Sequence, residues 1–305
     1  MPWLHHRPAL PPAGYLSQLD WLRSYRPSVL EEDDGTLRMW YSGHDGEKGR
    51  ILEAIQEPGA AWRRVALCID APTTLDHTGN GNGTGVHSPS VVQSGDGYVM
   101  AYVESDGGPS RLHLATSDDG HQWDPQGAID RPDDDADLRV SDPSLLVTGD
   151  GWWLFYTGYD GTAEGRHAEV MAAVSTDGTA WDRVGTVLAP LGAEVAVSAP
   201  AVLVRQRLFS MAYVCDDGTR AVIDLATSAD GVNWDRRGTT LAQGPQAKIT
   251  GPVHSPSTLH LRSGGLRLWY STRTDADEAD GCRIWSADFV KPPPVQRRVE
   301  GGQPV

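Results

Sequence analysis

The sequence predicts an all-β fold: a five-bladed β-propeller with four-stranded antiparallel blades. A proline-containing motif recurs at intervals of about 55 residues along the chain. Between these motifs, residues alternate in polarity with the period of two that strands require, and no run has a helical period of useful length. A four-stranded unit that cannot bury both faces alone forms one blade, and five blades close a ring. We therefore expect a single domain that spans residues 1–305.

Each repeat begins with a proline that opens an apolar run. The openers read RPSVL, SPSVV, DPSLL, APAVL and SPSTL, and they predict blades that start near residues 25, 87, 141, 198 and 254. An aromatic-rich run such as WYSG or FYTG follows, and then a third run, which in three repeats leads into DG-x-x-W. Aspartate and glycine predict a tight turn there. We expect Trp123, Trp181 and Trp234 to pack between blades.

The first and last repeats are irregular. EPGAAW replaces DG-x-x-W in the first, and the last repeat lacks the element. We expect closure of the ring to recruit a strand from one terminus into the fifth blade, and the sequence leaves open which terminus supplies it. Residues 291–305 are interpreted as a C-terminal tail.

Composition limits the classes of molecule that this protein is expected to bind. The formal net charge of −15 argues against nucleic acid, which requires a basic face. No apolar run reaches the length of a membrane span or of a signal peptide. Cys68, Cys215 and Cys282 are far apart and odd in number, which favours free thiols in a reducing compartment. We expect a cytoplasmic protein with a small-molecule or saccharide substrate.

Propeller topology predicts where a site would form. The first strand of each blade lines the central channel, and the second strand runs back toward the same face. The openers and the loops after the second strands therefore meet at one mouth of the channel, and the DG-x-x-W turns fall on the opposite face.

Four charged or titratable side chains occupy these openers: Arg26, His87, Asp142 and His254. Arg26 across the channel would keep the carboxylate of Asp142 ionised. The two histidines are expected to titrate near neutral pH, where they could transfer a proton or bind a metal. The alternative is that both histidines only cap strand ends through hydrogen bonds. Further candidates for substrate binding come from the same openers and rim loops: Tyr25, Ser88, Ser198, Asp45, Tyr159 and Asp160.

Together, the motifs S/D-P-S-x-L, WYSG or FYTG, and A-T-S-x-D-G-x-x-W resemble the glycosidase-like five-bladed propellers of glycoside hydrolase families 43, 32, 68 and 130. The resemblance covers about residues 15–290 and implies a funnel with three carboxylates, because glycoside hydrolysis needs an acid and a base or nucleophile.

This sequence departs from that pattern. Asp142 in SDPS matches one family aspartate, but Arg26 stands where the base or nucleophile is expected. Ala199 follows Ser198 where an acid would lie. Glu104 and Glu194 are the candidates to replace the missing acid. The three-carboxylate pattern is therefore not intact.

One further segment, GPVHSPS, resembles the G-P-x-H segment of family 43. The resemblance implies that His254 is a site residue, and it admits a central Ca²⁺ or Na⁺ held in part by this histidine. No other cofactor is expected.

Three functions stay open at this point. The first is a carbohydrate-active, glycoside hydrolase-like enzyme, a hydrolase or a transglycosylase, with Asp142 as base or stabiliser and Glu104 or Glu194 as acid. The second is a propeller enzyme of small-molecule biosynthesis that uses Arg26, His87, Asp142 and His254 for acid–base chemistry. The third is a non-catalytic glycan-binding propeller. The fold and the polar funnel favour the first, and the missing carboxylates favour the second.

Overall fold

The computed structural model describes residues 3–10, 18–71, 85–105, 109–129, 139–159, 167–242, 249, 251–273 and 281–289. Within these ranges the chain forms twenty β-strands and no α-helix, so the predicted all-β class is confirmed. No described helix could cross a membrane.

The strands form five four-stranded blades. Blade 1 consists of β2 (Arg23–Glu31), β3 (Leu37–His44), β4 (Gly49–Gln56) and β5 (Arg63–Ile69). Blade 2 consists of β6 (Gly85–Ser94), β7 (Gly97–Ser105), β8 (Arg111–Ser117) and β9 (Asp124–Ala128). Blade 3 consists of β10 (Arg139–Thr148), β11 (Gly151–Tyr159), β12 (Ala168–Ser175) and β13 (Asp182–Leu188). Blade 4 consists of β14 (Ala196–Arg205), β15 (Leu208–Asp216), β16 (Ala221–Ser228) and β17 (Asp235–Leu241). Blade 5 consists of β18 (His254–His260), β19 (Leu266–Thr272), β20 (Arg283–Phe289) and β1 (Trp3–Pro8).

Neighbouring strands within each blade pair antiparallel. Blades 1 to 4 follow the order of the chain, and in blade 5 the first strand of the chain, β1, is added beside β20. Short parallel bridges join the sheets of adjacent blades, at Gly49 with Gly85, at Ala168 with Ala196 and at Arg23 with Cys282. The five first strands lie side by side around a common axis, because each contacts the first strand of the next blade.

The N-terminal strand closes the ring. β1 pairs antiparallel with β20, so that Trp3 lies opposite Phe289. The indole Nε1 of Trp3 donates to Thr240 Oγ1 of blade 4 over 2.6 Å. The terminus that the sequence left open is therefore the N-terminus. The predicted tail, 291–305, lies outside the described residues.

The hydrophobic core lies between the blades. Clusters of buried side chains join each blade to the next. Trp40 of blade 1 and Tyr102 of blade 2, for example, belong to one such cluster. The aromatic second strands supply the largest of these side chains, including Phe155 and Trp269, which are fully buried. Burial of such rings removes the most apolar surface per residue and stabilises the packing of blade on blade.

The DG-x-x-W elements form the predicted turns. In blade 2, Asp119 Oδ1 accepts hydrogen bonds from the backbone N–H groups of His121 and Gln122. The following Trp123 packs edge-on against Trp40 of blade 1, with 6.1 Å between ring centroids. Trp234 packs in the same way against Phe155 of blade 3. The prediction that these tryptophans pack between blades is confirmed.

Candidate functional site at the mouth of the propeller

The residue before each opener proline has a left-handed backbone. The positive φ angles are 54° at Arg26, 55° at Ser88, 48° at Asp142, 50° at Ala199 and 49° at Ser255. The pairing between first and second strands is interrupted at the same place in every blade. A bulge of this kind bends the strand and redirects a side chain. Five side chains thereby converge on the axis.

These five residues and their prolines line a small cavity of about 30 Å³ at the axis. A second cavity of about 160 Å³, farther along the first strands, is lined by the prolines, by apolar side chains such as Val29 and Leu145, and by hydroxyl side chains such as Ser28. The charged groups therefore lie at the mouth-side end of the channel, above an interior lined by apolar and hydroxyl side chains.

Hydrogen bonds between blades stabilise the left-handed residues. The backbone N–H of Arg26 donates to Ser271 Oγ (3.0 Å), and that of Ser88 donates to Ser42 Oγ (2.8 Å). The N–H of Ala199 donates to Thr157 Oγ1 (2.8 Å). Each acceptor belongs to the second strand of the preceding blade, so the openers are ordered by their neighbours.

The serine after the opener proline has a structural role. Ser28 Oγ accepts a hydrogen bond from the backbone N–H of Val91 in blade 2 (3.0 Å). Ser90 and Ser144 accept equivalent bonds from the first strands of blades 3 and 4. The S-P-S motif therefore joins adjacent first strands.

Arg26 is the hub of the polar cluster. Its Nε lies 3.0 Å from Asp142 Oδ1, and its Nη1 donates to His87 Nδ1 over 2.8 Å. The guanidinium also lies over the ring of Tyr25, 5.3 Å from the centroid. The second carboxylate oxygen of Asp142 accepts a 2.6 Å hydrogen bond from the hydroxyl of Ser141. One side chain thus joins blades 1, 2 and 3 across the mouth.

Both opener histidines are neutral at pH 7. Burial and, after it, the positive charge of Arg26 hold the pKa of His87 well below its usual value. The same two causes lower the pKa of His254 to about 4. The expectation that the pair titrates near neutral pH is therefore wrong, because a buried imidazole beside a guanidinium resists a second positive charge.

His254 has a partner that sequence reasoning missed. Its Nδ1 lies 3.2 Å from Ser255 Oγ, and its Nε2 lies 3.4 Å from the sulfur of Cys282. Cys282 directly precedes β20, at the mouth-side end of blade 5. The strand order alone could have placed it on this face, but the sequence offers no signal for its contact with an imidazole.

Two tyrosines lie next to the ion pair of Arg26 and Asp142. Burial and the negative charge of Asp142 raise the pKa of Tyr159 to about 12. Burial also raises the pKa of Tyr25, against the opposing effect of Arg26. Both phenols therefore stay protonated and can donate hydrogen bonds beside Asp142 and Arg26.

Neither proposed acid fits its role. Glu194 forms an ion pair with Arg236 of the outer strand β17 (2.6 Å), which lowers the pKa of its carboxyl despite some burial. A general acid needs a raised pKa. Glu104 is half-buried at the end of β7, where its charge acts on Tyr102 and His113, and it does not line the axial cavity.

The remaining candidates differ in position. Ser88 lines the cavity and its Oγ lies 2.9 Å from His87 Nδ1. Asp45 forms an ion pair with Arg50 (2.5 Å) and accepts hydrogen bonds from its own loop, which lower the pKa of its carboxyl. Ser198 is half-buried opposite Val214 and precedes the lining residue Ala199. Asp160 lies outside the described residues.

Among the described residues that line the cavity, Asp142 is the single carboxylate. The two-carboxylate arrangement of glycoside hydrolysis is therefore not formed by these residues.

The implied central Ca²⁺ or Na⁺ does not fit the side chains found here. A guanidinium at the mouth repels a second cation, and the single carboxylate is already paired with it. No group of three His, Cys, Asp or Glu side chains in the described ranges could hold a metal. His254 faces a thiol instead.

The chain forms a five-bladed β-propeller with a polar mouth. Neither a family model nor a curated protein sequence matches the chain. Its structure is similar to a thermostable family-43 glycoside hydrolase, with a TM-score of 0.70 and 14% identity over 92% of this chain and 95% of the other. It is also similar to an endo-arabinase from Bacteroides thetaiotaomicron, with a TM-score of 0.65 and 14% identity over 90% and 97%. It is similar as well to a glycosyl hydrolase from Bacteroides ovatus, with a TM-score of 0.70 and 14% identity over 89% of this chain and 85% of the other. At these identities the likeness establishes the fold.

Proposed function

We propose that this protein is a carbohydrate-active enzyme that acts on a saccharide or a glycosylated small molecule at the axial cavity, with Asp142 as its acid–base group. The observation that carries the proposal is the position of Asp142. It is the lone carboxylate among the described lining residues, and it is oriented by Arg26 and Ser141. The likeness in fold to glycoside hydrolases supports the class of substrate.

The charges around the cavity favour a neutral ligand. Arg26 and Asp142 neutralise each other, and both histidines are uncharged at pH 7. What remains is a set of hydroxyl and N–H groups, which suits the many hydroxyls of a sugar. The net charge of −15 disfavours an anionic ligand.

An exposed indole on the same face supports a sugar ligand. Trp21 exposes 49% of its surface and lies beside Gly46, in the loop that follows β3. An aromatic face offers a flat apolar surface to the C–H side of a sugar ring, while its rim stays hydrated.

The proposed chemistry uses one carboxylate. Asp142 accepts a proton from a hydroxyl group of the substrate, and the protonated phenol of Tyr159 donates a hydrogen bond to the oxygen that gains charge. Positioned donors of this kind stabilise developing negative charge in a cavity that excludes water. The scheme does not use the second carboxylate of ordinary glycoside hydrolysis.

A panel of aryl glycosides and oligosaccharides tests the proposal. We expect Asp142→Asn to lower turnover by at least about 100-fold, as loss of a general base does. Asp177→Asn is the matched control, because Asp177 caps a turn on the opposite face. Full activity of the Asp142→Asn variant, or no turnover of any compound by the folded wild type, would contradict the proposed enzyme.

A second function is favoured by the ion pair itself. Arg26 occupies Asp142, and the described lining residues contain no second carboxylate, which suits a non-catalytic glycan-binding propeller. Calorimetry with the same saccharides distinguishes the two. Binding heat without product formation, weakened by Trp21→Ala, supports the binding function.

A further inference from the structure

The imidazole of His87 lies behind the axial cavity, and the acid–base scheme above does not use it. His87 exposes 7% of its surface, and it is not among the described residues that line the cavity. Its Nδ1 accepts a 2.8 Å hydrogen bond from Nη1 of Arg26, which does line the cavity. The two residues are 61 positions apart and belong to different blades. His87 can therefore influence the cavity through Arg26.

The contact with Arg26 fixes the tautomer of His87. A guanidinium has donors and no acceptor, so Nδ1 supplies the lone pair and the ring proton is on Nε2. The hydroxyl of Ser88, 2.9 Å from the same nitrogen, can likewise only donate to it. A cationic ring, which has a proton on both nitrogens, could not accept either bond. Burial, then the guanidinium of Arg26 and then the nearby His44 of β3 lower the pKa of His87 and so keep its ring neutral.

Two nitrogens of the Arg26 guanidinium are anchored. Nε lies 3.0 Å from Asp142 Oδ1, and Nη1 donates to His87 Nδ1. Because the guanidinium is a rigid plane at the end of a flexible side chain, two anchored nitrogens fix its orientation and one does not. The ring of Tyr25 covers one side of that plane, 5.3 Å from the carbon at its centre. His87 therefore determines which edge of the guanidinium faces Asp142.

The orientation of Asp142 depends in turn on this guanidinium. One carboxylate oxygen of Asp142 is paired with Arg26, and the other accepts the hydroxyl of Ser141. Ser141 is the preceding residue and moves with Asp142, so Arg26 is the contact that relates the carboxylate to another blade. A displacement of about 1 Å in a reacting group can cost about 100-fold in rate. The position of Arg26 is therefore a plausible determinant of turnover.

We propose that His87 is a positioning residue for the reaction: its Nδ1 orients Arg26, and Arg26 in turn orients the carboxylate of Asp142 toward the substrate. The inference rests on the proposed acid–base role of Asp142 and adds the residue that fixes the geometry of that group. No proton passes through His87 in this role. A histidine that only capped its own strand would not need an acceptor directed at a neighbouring blade.

A pair of substitutions with nearly the same shape tests the acceptor. Asparagine places an acceptor, Oδ1, near the position of the imidazole Nδ1, and leucine has none. With aryl glycosides and oligosaccharides as substrates, we expect His87→Leu to lower kcat at least about tenfold with little change in KM, because it removes a hydrogen bond to a charged group. His87→Asn should retain most of the wild-type kcat. Equal losses in the two variants, or no loss in either, overturn the proposal.

Two controls locate the effect. The same two substitutions at His260, the last residue of β18 and at the end of that strand away from the mouth, should leave kcat unchanged. In an Arg26→Gln background, His87→Leu should lower kcat no further, because the residue through which it acts has been removed. A loss from His87→Leu that is as large in that background as in the wild type overturns the role of Arg26 as the intermediary.

The tautomer is measured in the wild type, without substrate. In protein labelled with 15N-histidine at pH 7, nitrogen–proton correlation spectra of the His87 ring should show a neutral imidazole with its proton on Nε2. A proton on Nδ1, or a cationic ring, overturns the proposal, whether or not the variants fold. The expected tautomer without turnover by the folded wild type assigns the failure to the proposed function. Turnover with the other tautomer assigns it to the role of His87.

Discussion

At the scale of single residues, the left-handed position before each opener proline is the feature that creates the site. A residue before proline ordinarily has an extended backbone, and a side chain at positive φ is strained. Here Arg26, Ser88 and Ala199 each gain a hydrogen bond from their N–H group to the neighbouring blade. Strain of this kind is maintained by surrounding structure and concentrates at functional positions.

His254 makes the stability of the protein depend on pH. Its pKa is about 4 in the folded protein, below the ordinary value of 6.5 that applies to the unfolded chain. Between these values only the unfolded chain binds the proton, so stability is complete above about pH 6.5 and is lost as the pH falls toward 4. Between pH 6.5 and 4 we expect the free energy of unfolding of His254→Gln to fall by about 1–3 kcal/mol less than that of the wild type.

Chemical denaturation at a series of pH values measures the effect. The same substitution at the exposed His167 is the control and should leave the decline of the wild type unchanged. Equally steep declines in the wild type and in His254→Gln would show that the imidazole is not held neutral by the fold.

At the scale of elements, the outer strand of each blade depends on a tryptophan. In blades 2, 3 and 4 the outer strand begins directly after the tryptophan of DG-x-x-W. Blade 1 lacks that motif, yet Trp62 directly precedes β5 and is buried against its neighbours. Blade 5 receives Trp3, the first residue of β1, which packs between blades 4 and 5. The irregular repeats therefore keep a tryptophan at the outer strand and lose only the DG turn that precedes it in the other blades.

The strand β1 offers a matched pair of substitutions. Trp3 exposes 6% of its surface and the next residue, Leu4, exposes 43%. Trp3→Ala should lower the free energy of unfolding by about 3–5 kcal/mol, because it leaves a cavity between two blades. Leu4→Ala should cost less than about 1 kcal/mol. Thermal and urea unfolding measure both, and similar losses would mean that β1 does not seal the ring through Trp3.

At the scale of the whole molecule, two sets of contacts hold the ring of blades together. Strand β1 covers the edge of β20 and so joins the two ends of the chain. At the axis, Arg26 of blade 1 contacts His87 of blade 2 and Asp142 of blade 3. A ring of blades that each contact only their neighbours gains a direct connection across its centre.

A double-mutant cycle measures this connection. Arg26→Gln and Asp142→Asn should show a coupling of about 1–3 kcal/mol, because a partly buried pair leaves a costly unpaired charge when either partner is removed. The exposed pair of Arg237 and Asp235 is the control, and its coupling should not exceed about 0.5 kcal/mol. Equal coupling energies in the two cycles would show that the axial pair does not stabilise the fold more than an exposed pair does.

Local sequence patterns were sufficient to predict the architecture of this protein. Period-two runs, recurring openers and DG-x-x-W turns depend on local chemistry, which residues near in sequence express directly. Propeller topology extended that reading to the mouth, and it correctly brought Arg26, His87 and Asp142 together.

The charge states and contacts of these groups depend on three-dimensional packing. The neutral state of His254, the outward ion pair of Glu194, the contact of Cys282 and the closing strand from the N-terminus all depend on neighbours distant in the chain. Charge state and hydrogen-bond partners follow from burial and from distances of a few ångströms across blades, and no local pattern encodes those.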